Sequence, residues 1–129
     1  MPLTTESITL STGLGHYLAS LAKIAQVPDI RLALGGHEGP ITDLYGRVAQ
    51  IEASHKRKLE RVLNACAEPS TVNQLSRVIY PDVGSYDILL AIQEVGAHVE
   101  YLDQHGHLAI ANLDEVAADE RAAPRYRRL

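Results

Sequence analysis

The chain has 129 residues, 46% of them apolar, with no Trp or Phe, a single Cys and a formal net charge of −4. That describes one domain, or a domain with an appendage, whose core of Leu, Ile, Val, Ala and some Tyr suits packed helices better than a β-sandwich. It excludes an internal disulfide, lacks the overall positive charge of a nucleic-acid binder, offers no apolar run near the ~20 residues of a membrane span, and points to a cytoplasmic protein.

Residues 1–11 are polar with β-branched members and read as irregular, or as a short strand near Ile8 to Leu10. They lack the positive start and long apolar stretch of a signal peptide. Ser11 or Thr12 can cap a helix in which Leu14, Tyr17, Leu18, Leu21 and Ile24 recur at helical spacing, and Pro28-Asp29 stops it. Ile30 to Leu34 is a short apolar run that reads as a strand. Gly35, Gly36 and Gly39 then surround His37, and glycines permit the positive φ of a sharp turn. A histidine held on such a turn is either a metal ligand or a plain loop residue.

Thr42 or Asp43 caps the longest helical pattern, with Leu44, Val48, Ile51, Leu59, Val62, Leu63 and Cys66 on one face. His55 falls on that stripe, and Ser54 marks a place for a kink or break. The other face carries Arg47, Glu52, Lys56, Arg57, Lys58, Glu60 and Arg61, and Pro69 ends the helix. Ser70-Thr71 caps a shorter helix with Val72, Leu75, Val78 and Ile79 inward. After the turn Tyr80 to Gly84, Ser85 caps a third helix with Ile88, Ile92, Val95, Val99 and Leu102 inward. One turn separates Glu94 from His98, which makes a hydrogen bond or ion pair between them easy. His105-Gly106 is a helix stop, and Leu108 to Ala111 reads as a short strand. From Leu113 onward, acids, alanines and arginines suggest a frayed helix or disorder.

Several of these segments resemble one family. "LALGGHEGPITD" is similar to the Pro-Gly-His-Gly-x-Pro-Ile-x-Asp segment near the end of the catalytic domain of metallo-β-lactamase-fold hydrolases. "GLGHYLASL" is similar to the helix before it. Further on, His55 to Leu59, Thr71 to Leu75, Val78 to Pro81, Ala91 to Glu94, Ala97 to Leu102 and Gly106 follow, in order, the winged-helix domain of the β-lactamase-like 2 type. The resemblance spans roughly residues 14–110. It implies a mainly α chain: a winged-helix, helix-turn-helix-like domain over 43–113, preceded over 1–42 by a helix-strand remnant of an α/β catalytic domain, and followed by a tail over 114–129. In the family the matching histidine is the last metal ligand, which makes His37 a zinc ligand completed by groups outside this chain, with Gly35, Gly36 and Gly39 shaping its loop.

The family's chemistry uses a His-x-His-x-Asp-His cluster and a bridging acid, whose metals activate water. This chain has no such cluster. Its one His-x-His, at His105 and His107, continues into Leu108-Ala109 and reads as a helix cap and a strand start. The expectation is therefore a chain inactive alone and without a metal of its own. It would serve structure, cleft closure or dimerisation, with a second copy or the missing catalytic domain as partner.

The alternative is a winged helix that binds nucleic acid. The third helix argues against a duplex groove, since Asp87, Glu94, Glu100 and Asp103 lie on it with no Lys or Arg. Contact with RNA by Lys56, Arg57, Lys58 and Arg61 is the form of that alternative that stays open. The bland reading of those four is a solvated face.

Overall fold

Two compact units emerge in the computed structural model, which describes residues 13–129: one of residues 15–57, the other of residues 58–129 with residues 13 and 14. The strand near Ile8 and the cap at Ser11 or Thr12 lie outside the described residues.

In the first unit, helix α1 (Leu14–Ala25) forms where the spacing predicts it. Leu21 is buried, while Tyr17 and Ile24 are exposed. The helix unwinds through Val27, whose N–H reaches Ile24 O, and Asp29 takes a left-handed φ of 60°. The predicted strand Ile30 to Leu34 does not form. Only Ala33 pairs, with Ile41, through reciprocal bonds of 2.9 and 2.8 Å. A strand needs a row of partners, and here the backbone meets only its own return at Ile41. Leu32 and Leu34 consequently stay exposed. The Tyr45 hydroxyl ties down the loop, donating to Val27 O and accepting from Ile30 N–H.

Helix α2 (Leu44–Ala65) runs unbroken through Ser54. Asp43 is its cap: Oδ1 accepts from Gly46 N–H at 3.0 Å. A Cβ on Gly46 would collide with the Asp43 carboxylate, so the cap in this form requires glycine there. Residues 44–57 of α2 belong to the first unit and residues from Lys58 to the second.

The second unit is built around Val62, Cys66, Leu75, Ile79, Val95, Val99, Leu102 and Leu108. Helix α3 (Val72–Ile79) opens on a capping box, in which Thr71 Oγ1 accepts from Gln74 N–H and Gln74 Oε1 accepts from Thr71 N–H. Leu75 and Ile79 face inward together with Ser76, whereas Val78, predicted inward, is 61% exposed. Eight residues give too short a helix for a wide apolar face, and its inward side centres on the Leu75–Ile79 row.

Helix α4 (Asp87–Gln104) has Tyr86 at its N-cap and no side-chain cap. Ser85, the predicted cap, stands one residue early with φ 54°, and Asp87 supplies negative charge in the first turn instead. The C-terminus closes as predicted. Gly106 takes φ 76°, its N–H reaches Asp103 O, and His107 N–H reaches Leu102 O at 2.9 Å, a Schellman motif.

Strand β1 (Leu108–Ile110), helix α5 (Leu113–Ala118) and strand β2 (Tyr126–Arg128) complete the unit. The strands are antiparallel, with Leu108 opposite Arg128 and Ile110 opposite Tyr126. The expected frayed helix corresponds to the short α5, which has no side-chain cap and no buried residues, whereas the expectation of disorder is corrected at the arginine-rich end, which forms β2. On its far side β2 also bonds to Ser70, reciprocally through Tyr126, and to Cys66 O through Arg128 N–H. Tyr126 packs against the core from the middle of an arginine-rich stretch, and that is what orders it.

Candidate functional site

His37 lies on the exposed loop that the Ala33–Ile41 pair closes. Neither Gly35, Gly36 nor Gly39 adopts a positive φ, contrary to the expected reason for their presence. A Cβ on Gly36 or Gly39 would meet nothing within 4 Å. This loop therefore does not need glycine for its own geometry. Replacing Gly36 or Gly39 with Ala should leave stability within about 0.5 kcal/mol of the parent. Thermal unfolding checks this, and a loss above about 1 kcal/mol would mean the loop is more tightly held than it looks.

The described residues contain no group of three or more His, Cys, Asp or Glu side chains placed to hold a metal. His37 offers one imidazole where a zinc site takes three or four ligands. The donors among the described residues do not fit a zinc site by themselves.

The most developed polar cluster lies in the second unit and was not legible in the sequence. Lys58 on α2 forms an ion pair with Glu94 Oε1 on α4. Tyr80, just past α3, donates its hydroxyl to Glu94 Oε2 at 2.6 Å. The Lys58 ammonium also stands 5.9 Å from the centre of the Tyr80 ring. Partial burial of Glu94 opposes its ionisation, but the bonds from Lys58 and Tyr80 outweigh that and hold its pKa below the usual carboxylate range. Burial likewise opposes the charge on Lys58, and Glu94 and Tyr80 together push its pKa up. Burial and the Glu94 carboxylate raise the Tyr80 phenol. One carboxylate thereby fastens three segments of the chain.

The expected Glu94–His98 contact exists in another form. His98, 2% exposed, donates from Nδ1 to the backbone carbonyl of Glu94 at 2.7 Å, since the carboxylate already serves Lys58 and Tyr80. His55 packs edge-on against Tyr17, with ring centres 5.6 Å apart. His105 caps α4 and stacks on Tyr101 at 4.0 Å, and His107 precedes β1, as the plain reading of that pair held. Of the four basic residues proposed for nucleic acid, Lys58 is held by Glu94 and Arg61 donates to Ile79 O at 3.3 Å. Lys56 and Arg57 are exposed.

No protein-family profile matches the sequence, and no curated protein matches it. Solved structures do. A metallo-β-lactamase family protein from Thermus thermophilus superposes with a TM-score of 0.71 at 30% identity, covering 90% of this chain and 33% of that one. A β-lactamase domain protein from Burkholderia ambifaria superposes with a TM-score of 0.79 at 25% identity, covering 98% of this chain and 36% of that one. The chain is thus related in structure to metallo-β-lactamase family proteins. It spans about a third of the length of the two that it matches. Among its described residues no helix is long and apolar enough to cross a membrane.

Proposed function

We propose that this chain is the C-terminal region of a metallo-β-lactamase superfamily hydrolase and acts in it as a structural, cleft-closing or dimerising part. The observation that carries this reading is the superposition of nearly all of this chain on only a third of two metallo-β-lactamase proteins. In the proposal, residues 1–42 continue the catalytic domain and residues 43–113 form a winged-helix domain whose hairpin is completed by β2 from the 114–129 segment. The order of three helices followed by an antiparallel pair supports the winged helix. The complete enzyme is cytoplasmic and hydrolyses an ester, thioester, amide or phosphodiester with zinc, which makes a water nucleophilic at neutral pH. There His37 contributes one ligand, and Gly36 and Gly39, open in this chain, leave room for the backbone to approach the site.

The purified chain, supplied with zinc, should turn over neither a nitrophenyl ester nor a phosphodiester above background, and should show no His37-dependent zinc site tighter than ~10 μM. Hydrolysis abolished by His37→Ala overturns this. The nucleic-acid reading has weaker support, because α4 is acidic and two of the four basic side chains are already engaged. Retention on heparin at low salt, lost when Lys56 and Arg57 become Ala, would favour it instead.

A further inference from the structure

The Ala33–Ile41 pair in the first unit leaves one edge of its short ribbon open. Successive residues of an extended segment direct their N–H and C=O groups to opposite sides. Ala33 turns both of its groups to Ile41. Those of Leu32 and Leu34 therefore point the other way, and among the described residues none of them has a hydrogen-bond partner. At a spacing of two, the leucine side chains share one face of the segment, and they are 55% and 78% exposed. Open donors, open acceptors and two apolar side chains thus lie together, as on a strand edge that lacks its neighbour.

We infer that this edge pairs with the same edge of a second copy of the chain, antiparallel about a two-fold axis that passes between the two Ala33 residues, so that Leu32 of each copy stands opposite Leu34 of the other. A two-fold contact uses one patch twice, so it needs a surface that complements itself. A strand edge run antiparallel to itself meets that need, because in this register every open N–H and C=O of Leu32 and Leu34 finds its counterpart. The central pair of Ala33 residues is of the kind without hydrogen bonds, whose Cα atoms approach to ~4.5 Å, and alanine has no bulk to hold the strands apart. On one face the leucines of both copies pack together and leave water. A contact of this size falls short of the ~1,200 Å² at which standard interfaces begin, which sets the dissociation constant at roughly 50 μM. The inference rests on the dimerising part of the proposed function and gives it a surface.

Sedimentation of the purified chain from about 5 to about 500 μM brackets that value and should show a monomer–dimer equilibrium. Leu32→Lys puts a charge on the edge and Leu34→Pro removes one of its N–H groups, the two means by which edge strands avoid pairing. Each should weaken association at least about tenfold. Cross-linking tests the register. Ala33→Cys sets two thiols opposite each other within reach of a disulfide, whereas Arg31→Cys sets each thiol opposite Gly35 of the other copy. Under mild oxidation Ala33→Cys should give covalent dimer at least about tenfold faster than Arg31→Cys, and Cys66, 0% exposed, contributes to neither. A parent that stays monomeric at the highest concentration overturns this pairing and dimerisation together. A dimer that ignores both edge substitutions, or cysteine variants that cross-link at equal rates, overturns this edge and leaves dimerisation standing. The cysteine comparison decides even where Leu34→Pro disturbs the loop. Hydrolysis and zinc assays bear on none of these outcomes.

Discussion

Removing residues 124–129 should abolish cooperative unfolding of the second unit. Those residues supply β2, whose loss leaves β1 unpaired and takes Tyr126 from the core. They also fill bonds from Ser70, Cys66, His107 and Ala111: Tyr126 exchanges two with Ser70, Arg128 N–H binds Cys66 O, Leu129 N–H binds His107 O, and Arg125 O accepts from Ala111 N–H. Each such bond contributes about 1 kcal/mol net, and a buried group left without its partner costs ~1–3 kcal/mol. Truncating a large aromatic in a core costs ~3–5 kcal/mol, somewhat less at a half-buried site such as Tyr126. The sum rivals the whole ~5–15 kcal/mol by which a domain is stable. Urea unfolding followed by circular dichroism should show a broad, non-cooperative transition for the shortened chain, and for Tyr126→Ala a loss of about 2–3 kcal/mol. A shortened chain that unfolds at the parent's midpoint would mean that the hairpin is an ornament on the core.

Alkali should destabilise the protein steeply, and Cys66 should be the main reason. Its thiol is 0% exposed in the core, and burial pushes its pKa from 9.0 up to about 11. The unfolded chain ionises this thiol from about pH 9, while the folded one keeps it protonated. Stability from this group is therefore whole below pH 9 and is lost as pH climbs towards 11. Two pH units correspond to roughly 2.7 kcal/mol at ~1.36 kcal/mol per unit. Lys58 and Tyr80, both with raised pKa, add to the loss in the same direction and at higher pH. Glu94 works at the other end: its lowered pKa contributes stability that disappears as acid protonates it, below the ordinary carboxylate range. Urea midpoints measured from neutral pH to about pH 10 should fall above pH 9 in the parent and stay much flatter in Cys66→Ala, which starts lower because it leaves a small cavity. Parallel slopes in the two proteins would exonerate the thiol.

The parts of this fold that the sequence announced are those governed by neighbours a few residues away. Helical spacing placed α1 to α4, Ser70-Thr71 marked the start of α3, and Gly106 marked the end of α4. The parts it concealed depend on partners far along the chain. Ile30 to Leu34 has the composition of a strand, but only Ile41 is at hand to pair with it. Tyr126 to Arg128 has the composition of a tail, yet Ser70, Cys66 and β1 are waiting for it. In the candidate site, the loop position of His37 was readable, whereas the role of its glycines was not: the expected positive φ values are absent. The joining of Lys58, Tyr80 and Glu94 spans 36 residues from Lys58 to Glu94 and left no local signature. The one clue was an acid placed next to the inward stripe of α4, between Ala91 and Val95.

The placement of β2 also fixes an order of events during synthesis. Every residue that β2 covers, from Cys66 and Ser70 to the strand at Leu108, is translated before Tyr126 and Arg128. At ~5–20 residues per second the ribosome delivers the three helices well ahead of the strand that shuts them in. Until β2 docks, this unit lacks its cover: Cys66 O, Ser70 and the edge of β1 are without the partners that β2 brings. The vulnerable moment for misassembly or for oxidation of the thiol is thus the interval before the last residues of the chain are free to dock as β2.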